Sequence, residues 1–246
     1  MALGDSFTEG VGDHDPSLPN GVRGWADRFA EVLTGHTADF AYANLAIRGK
    51  QLLPILDEQI DPALDLKPDL VSLYAGANDV LRPRVDIDRL VAAYDKALGR
   101  LVDGGAHLVL FTAYDPGDSA IFGALRGRFA VYNELVREVA EGYGATLVDF
   151  WRLREYRDDR MWDTDRMHMS SAGHQRMAIE VLNTMGIEHP LQPLPLGPRP
   201  VLTKSQQRAA NLDWAKSHAG PWVKRRLTGV SSGDNLSPRR PGLAPI

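Results

Sequence analysis

"DLVSLYAGAND" (residues 69–79) is a near-continuous apolar run that ends at a glycine and turns polar. A strand with one wet face alternates apolar and polar side chains, whereas a strand covered on both faces does not. The run therefore reads as a central strand of a parallel sheet sandwiched between helices. Its surroundings fit that reading. "MAL" before Gly4, "DFAYANLA" (39–46), "AHLVLFTAY" (106–114) and "ATLVDFW" (145–151) are further strand-like runs.

The stretches between them have helical period. Residues 21–35 place Trp25, Phe29 and Leu33 on one face. Residues 50–64 are helical with Pro54 near the first turn, where proline is tolerated. Residues 86–105 put Leu90, Tyr94, Ala97, Leu98 and Leu101 in register and end in glycines, a stop signal. Residues 128–144 carry a Val131, Leu135, Val139 stripe, and residues 170–186 start at an N-cap on Ser170 or Ser171. Strands alternating with helices imply right-handed crossovers. The expected fold is thus a three-layer α/β/α body with a flavodoxin-like, five-stranded parallel sheet of order 2-1-3-4-5. Ligands in such a sheet bind beyond the carboxyl ends of the strands, at the switch point between strands 1 and 3.

The 246 residues suffice for a full core, and 43% hydrophobic with 24% charged residues is ordinary for a globular chain. No run of about 18 apolar residues is present, so no membrane-spanning helix is expected. No secretory leader is evident, which makes the cytoplasm the default compartment. The absence of cysteine excludes disulfides, thiolate metal sites and a cysteine nucleophile.

Three segments are expected: a body over 1–186, a connector over 187–202 with five prolines between 190 and 200, and a basic C-terminal extension over 203–246. Residues 199–246 hold nine Lys/Arg against Asp213 and Asp234, a net +7, and leave the rest at −11. Trp214 and Trp222 beside the basic residues raise nucleic-acid binding as one reading. No nucleic-acid-binding motif accompanies the charge, and the favoured expectation is that the tail packs on the acidic body with both tryptophans as buried anchors. Residues 203–220 read as a short helix, and the remainder shows no periodicity. The sequence does not specify an oligomeric state.

The carboxyl ends of the strands carry the candidate chemistry. Ser6 lies in "GDSFTEG" after strand 1, Gly49 in "NLAIRGK" after strand 2, and Asn78 in "GANDV" after strand 3. Asp165 and His168 follow strand 5 in "DTDRMHMSSAGH". These are the parts of an acyl-transfer site. A serine hydroxyl needs an imidazole to take its proton, and the imidazole needs a carboxylate to fix its tautomer. The Ser6 and Gly49 backbone N–H groups and the Asn78 amide are candidate oxyanion donors, each worth about 100- to 1,000-fold in rate.

The same blocks resemble those of the SGNH (GDSL-type) hydrolases: "GDSFTEG", "NLAIRG", "GAND" and "DRMH", in order and spacing, over residues 1 to about 186. The resemblance implies Ser6 as nucleophile, His168 as general base, Asp165 as its orienting carboxylate, and Ser6, Gly49 and Asn78 as the oxyanion hole. It implies a metal-free esterase acting on small-molecule acyl esters, with an acyltransferase or a non-catalytic binding module as alternatives. One departure stands out. Only three residues precede Gly4, whereas a mid-sheet strand usually has about five or six. Strand 1 is expected to be stunted, or the natural chain to begin upstream.

Simpler roles compete for individual residues. Ser6 and Glu9 also fit a helix capping box. "GDSAIFG" (117–123) repeats Gly-Asp-Ser without partners, so Ser119 is expected to be a cap or loop residue, at most bordering the pocket. Asp5 is expected to brace the turn, Asp79 to cap the segment after it, and His174 to be structural or exposed. Asp163, Asp165 and His168 as a metal site would lack a fourth ligand. Arg48, Arg82 and Arg84 are rim residues that either meet an anionic substrate or stay solvated. No long insertion resembling a lid interrupts the blocks.

Overall fold

The computed structural model describes residues 1–117, 119 and 122–246, the side chains of Arg226 and Leu227 excepted. The elements run β1 (Ala2–Gly4), α1 (Ser6–Glu9), α2 (Trp25–Leu33), β2 (Tyr42–Asn44), α3 (Leu52–Leu66), β3 (Leu70–Tyr74), α4 (Ala77–Val80) and α5 (Ile87–Asp103). They continue with β4 (His107–Phe111), α6 (Arg126–Gly142), β5 (Thr146–Val148), α7 (Ser171–Thr184), α8 (Lys204–Trp214), α9 (Gly220–Thr228) and β6 (Arg240–Ala244).

The sheet order is β5-β4-β3-β1-β2-β6. Its first five strands are parallel in the order expected from the apolar runs. The sheet has six strands rather than five, because β6, near the chain end, pairs antiparallel with β2. Nothing in "RPGLA" alternates, and Pro241 cannot donate to a ladder. It is tolerated because β6 is an edge strand.

Alternate side chains of each strand feed opposite layers, as the pleat requires. Leu3, Leu73, Leu108 and Leu110 pack with α3, α5 and α6 through Ile55, Tyr94, Leu98 and Val136. Ala2, Tyr74, Val109 and Phe111 face α2 and α7 through Trp25, Phe29, Met177 and Leu182. One sequence expectation fails within α6. Val131 is 52% exposed, and the buried face is Phe129, Tyr132, Asn133, Val136 and Ala140. Asn133 sits there because its side chain accepts from the Ala113 N–H and donates to the Ala113 carbonyl (2.7 and 2.9 Å).

β1 is only three residues long, with Ala2, Leu3 and Gly4 in register with Ser72, Leu73 and Tyr74. No described helix is long and apolar enough to cross a membrane. Beyond α7 the chain runs without regular structure to Thr203, which caps α8 with a reciprocal Gln206 bond. The segment expected to be aperiodic after 220 is instead helical over α9, joined to α8 through a π turn at Ala215–Ala219.

Candidate active site

The turn after β1 is built to hold one residue outward. Gly4 has φ +139°, and a Cβ there would lie 2.3 Å from the Tyr74 carbonyl oxygen, so only glycine lets β1 approach β3 this closely. The Gln59 side chain from α3 brackets the same glycine, accepting from its N–H at 2.8 Å and donating to its carbonyl at 2.9 Å. Asp5, not Ser6, is the N-cap of α1, accepting from the Phe7 N–H at 3.0 Å. That is the bracing role expected of Asp5, and it leaves Ser6 as the first helical residue, half-buried on a cavity wall.

The competing capping-box role for Glu9 does not occur. Glu9 is fully buried and accepts from the Arg48 N–H (2.6 Å) and guanidinium (3.0 and 2.8 Å). Arg48 is therefore engaged by a buried carboxylate of the body. It clips the loop after β2 to α1 and sets Gly49, at φ +76°, on the same cavity as Ser6.

Asn78 lies on the single turn of α4. Its amide donates to the Asp5 carboxylate at 3.0 Å and to the Lys50 carbonyl at 3.1 Å. Burial pushes the Asp5 carboxyl up to about 7, opposed by the Phe7 N–H and the charge of His168. Asp79 caps a different element from the one expected. Its carboxylate accepts from the Leu52 N–H at 2.9 Å and so starts α3 rather than its own segment.

After β5 the chain forms a tight turn around Asp165. One carboxylate oxygen accepts from the Met167 and His168 N–H groups (2.8 and 3.0 Å), and the other meets His168 Nδ1 at 2.5 Å. Burial works against the charged form of Asp165. The His168 bond and charge and the two N–H donors overcome it and hold the carboxyl down to about 2. A carboxylate fixed on Nδ1 leaves Nε2 of a neutral imidazole as the basic nitrogen. His174 is fully buried, accepting from the Trp25 N–H at 3.2 Å and donating to the Val11 carbonyl at 3.1 Å, and burial lowers its pKa to about 4. It is structural.

Ser6, Gly49, Asn78, Asp165 and His168 all line one cavity of about 580 Å³. Arg82 lines it as well, and Arg84 is exposed. Aromatic rings of the body, among them Phe7, Tyr114, Phe150 and Trp162, form its apolar wall. Ser119 accepts from the Phe122 N–H as a loop residue, one of the two roles expected of it, while Asp118 of that second Gly-Asp-Ser lies outside the described residues. Among the described residues no group of three or more His, Asp or Glu is gathered around one point. The structure also adds an element to the site that block spacing did not suggest. Residues between Ser217 and Asp234 close part of the cavity, and the Trp214 indole donates to the Asp165 carbonyl at 2.8 Å. Neither Trp214 nor Trp222 is fully buried.

Comparison with known proteins gives a family and a fold. A model described as the GDSL-like lipase/acylhydrolase family matches residues 2–176. A multidomain esterase of Ruminococcus flavefaciens is 30% identical over 112 residues, 45% of this chain and only 14% of that much longer protein. Among solved structures, an alpha/beta hydrolase enzyme from the metagenome of Lake Arreo, Spain, superposes with TM-score 0.62 at 26% identity, over 75% of this chain and 93% of its own. An acetylxylan esterase from Geobacillus stearothermophilus shares the fold at 22% identity with TM-score 0.59, over 76% of this chain and 93% of its own.

Proposed function

We propose that this chain, which belongs to the GDSL-like lipase/acylhydrolase family, hydrolyses small carboxylic esters through an acyl-enzyme on Ser6. The observation that carries the reading is the Asp165–His168 contact, 2.5 Å long, on the wall of the cavity that also takes in Ser6, Gly49 and Asn78. The esterases among its relatives support the same reaction class.

In this mechanism the Ser6 Oγ attacks the ester carbonyl carbon while its proton passes to His168 Nε2. The imidazolium that forms is stabilised by the ionised Asp165 on Nδ1. The carbonyl oxygen becomes an oxyanion that takes the Ser6 and Gly49 N–H groups and the Asn78 amide, which gives up the Lys50 carbonyl to reach it. Collapse expels the alcohol, which leaves with the proton from His168. Water then repeats the sequence on the acyl-enzyme, releasing the acid and restoring Ser6.

The test is hydrolysis of p-nitrophenyl acetate together with labelling by a fluorophosphonate. Both are expected of the wild type and neither of Ser6→Ala with its fold intact. Turnover retained by Ser6→Ala would remove Ser6 as nucleophile. Labelling without hydrolysis, rescued by an alcohol acceptor, would make the protein a transferase.

A further inference from the structure

The cavity has a wall that the family blocks do not supply. Ser217, His218, Trp222, Arg225, Ser231 and Asp234 line it, all outside the matched residues 2–176. This stretch is held to the body on both sides of the cavity. At one side the Trp214 indole bonds the Asp165 carbonyl, and Arg166 stacks its guanidinium over the Trp214 ring, 5.2 Å from the centroid. At the other, the Ser231 hydroxyl donates to the Arg48 carbonyl at 3.3 Å, packed where Gly49 has no Cβ. Further on, the Asn20 amide donates to the Ser237 carbonyl at 3.2 Å, and Arg239 forms a buried pair with Asp27. The segment thus spans the cavity as a strap tied at both ends.

Its inward chemistry is specific. Trp222 meets Phe122 edge to face, ring centroids 6.2 Å apart, and joins the aromatic wall. Arg225 follows three residues later on α9, on the same helical face. The carboxylates of the cavity are already engaged. Glu58 pairs with Lys50 at 2.6 Å, Asp165 with His168, Asp234 accepts from the Ser231 N–H at 2.7 Å, and Asp5 accepts from Phe7 and Asn78. Arg225, half-buried, forms no ion pair among the described residues. A guanidinium is charged at every working pH and its planar fork matches a carboxylate. The cavity therefore offers an apolar wall, an engaged set of acids and, among the described residues, two arginines in no ion pair, the exposed Arg82 and the half-buried Arg225 beside an indole.

We propose that the strap is the substrate-selecting wall of this site, with Trp222 seating an apolar portion of the ester and Arg225 binding a carboxylate that the same ester carries. The proposal rests on the esterase reading and names its substrate class: small half-esters and aryl esters bearing a free carboxylate.

Binding to Ser6→Ala protein tests it without requiring turnover. Calorimetry compares mono-p-nitrophenyl glutarate with its methyl ester, and 4-acetoxybenzoate with its methyl ester, so that each pair differs by one charge. In at least one pair the anion is expected to bind about tenfold or more tighter, the scale of a charge-assisted hydrogen bond. Arg225→Gln should erase that preference, and Trp222→Ala should weaken both members of the pair alike. Equal affinities within both pairs would overturn the proposal, as would a preference that survives Arg225→Gln. Hydrolysis of the neutral p-nitrophenyl acetate by the wild type, measured in parallel, reports on the esterase reading separately.

Discussion

Replacing Arg239 with Met keeps most of the side-chain volume and removes the charge that faces Asp27. The pair is as buried as any in the molecule, with side-chain exposures of 0% for Arg239 and 1% for Asp27. The guanidinium also donates to the Val22 and Arg23 carbonyls, so its loss strips partners from three acceptors at once. Burial already pushes the Asp27 carboxyl up with Arg239 beside it. Breaking such a pair by removing one partner costs about 3–5 kcal/mol, because a charge is left in a dry site. For a domain of this size that corresponds to a fall in melting temperature of about 6–20 °C. The chain has one alternative, which is to release β6 and let water reach Asp27. In that case the body keeps its melting temperature while the strap becomes a substrate for trypsin. Thermal denaturation and limited proteolysis together read both outcomes. The double variant Asp27→Asn/Arg239→Met should recover most of the loss, since neither charge remains. An Arg239→Met protein with unchanged melting temperature and an equally protected C-terminal segment would refute the reasoning.

Asp165→Asn should lower kcat on p-nitrophenyl acetate by about 100- to 10,000-fold at pH 7, from loss of imidazolium stabilisation and of the tautomer it fixes. A fall of less than tenfold would exclude Asp165 as the orienting carboxylate. Its depressed carboxyl keeps its contribution above pH 4 and loses it only as pH falls toward about 2, so it adds no acid limb near neutrality. His174, lowered to about 4, is buried neutral. Its contribution is complete above pH 6.5 and is lost as pH falls toward 4, about 3 kcal/mol in all. Asp5 titrates in the same range with the opposite sign in both proteins, so the slope is read as a difference. In denaturation from pH 7 to pH 4.5, wild type should lose more stability, or gain less, than His174→Asn, and equal slopes would refute the assignment. Gly12 has φ +98°, and a Cβ there would lie 2.1 Å from the Met169 carbonyl and 3.2 Å from the His168 Cβ. Gly12→Ala should therefore displace the His168 loop and lower both stability and kcat. A fully active, equally stable variant would show that the loop accommodates the methyl.

The sheet was legible because burial on both faces leaves uninterrupted apolar runs, and β3 and β4 are such runs. The blocks that line the cavity were legible because they sit at strand ends, where a parallel sheet exposes its loops. What escaped was polar and tertiary. On α6 Leu135 and Val139 of the apolar stripe pack against the core, but Val131 is exposed and the buried face takes in Asn133, which only the Ala113 backbone justifies. Gln59 and Glu9 are fixed parts of the turn near Ser6, yet each looks like an ordinary surface residue in sequence. β6 has no strand signature of its own. The open edge of β2, the Arg240 guanidinium 5.8 Å over the Tyr42 ring and the Arg239–Asp27 pair make it a strand.

Opposite net charges suggest that electrostatics draw the tail onto the body, but the contacts assign the work differently. Of the tail's basic side chains, Arg199 and Arg239 form ion pairs among the described residues, and Arg199 is exposed. Lys204, Arg208, Lys216 and Lys224 are exposed and act across solvent, where about 0.15 M salt screens them beyond about 8 Å. The Arg239–Asp27 pair, the Trp214 indole bond and the β2–β6 ladder are shielded from that screening. Docking is thus expected to persist in 1 M NaCl, with trypsin sites at Lys224 and Arg225 as protected as at low salt. If high salt frees those sites in the wild type, long-range charge holds the strap and the buried pair does not.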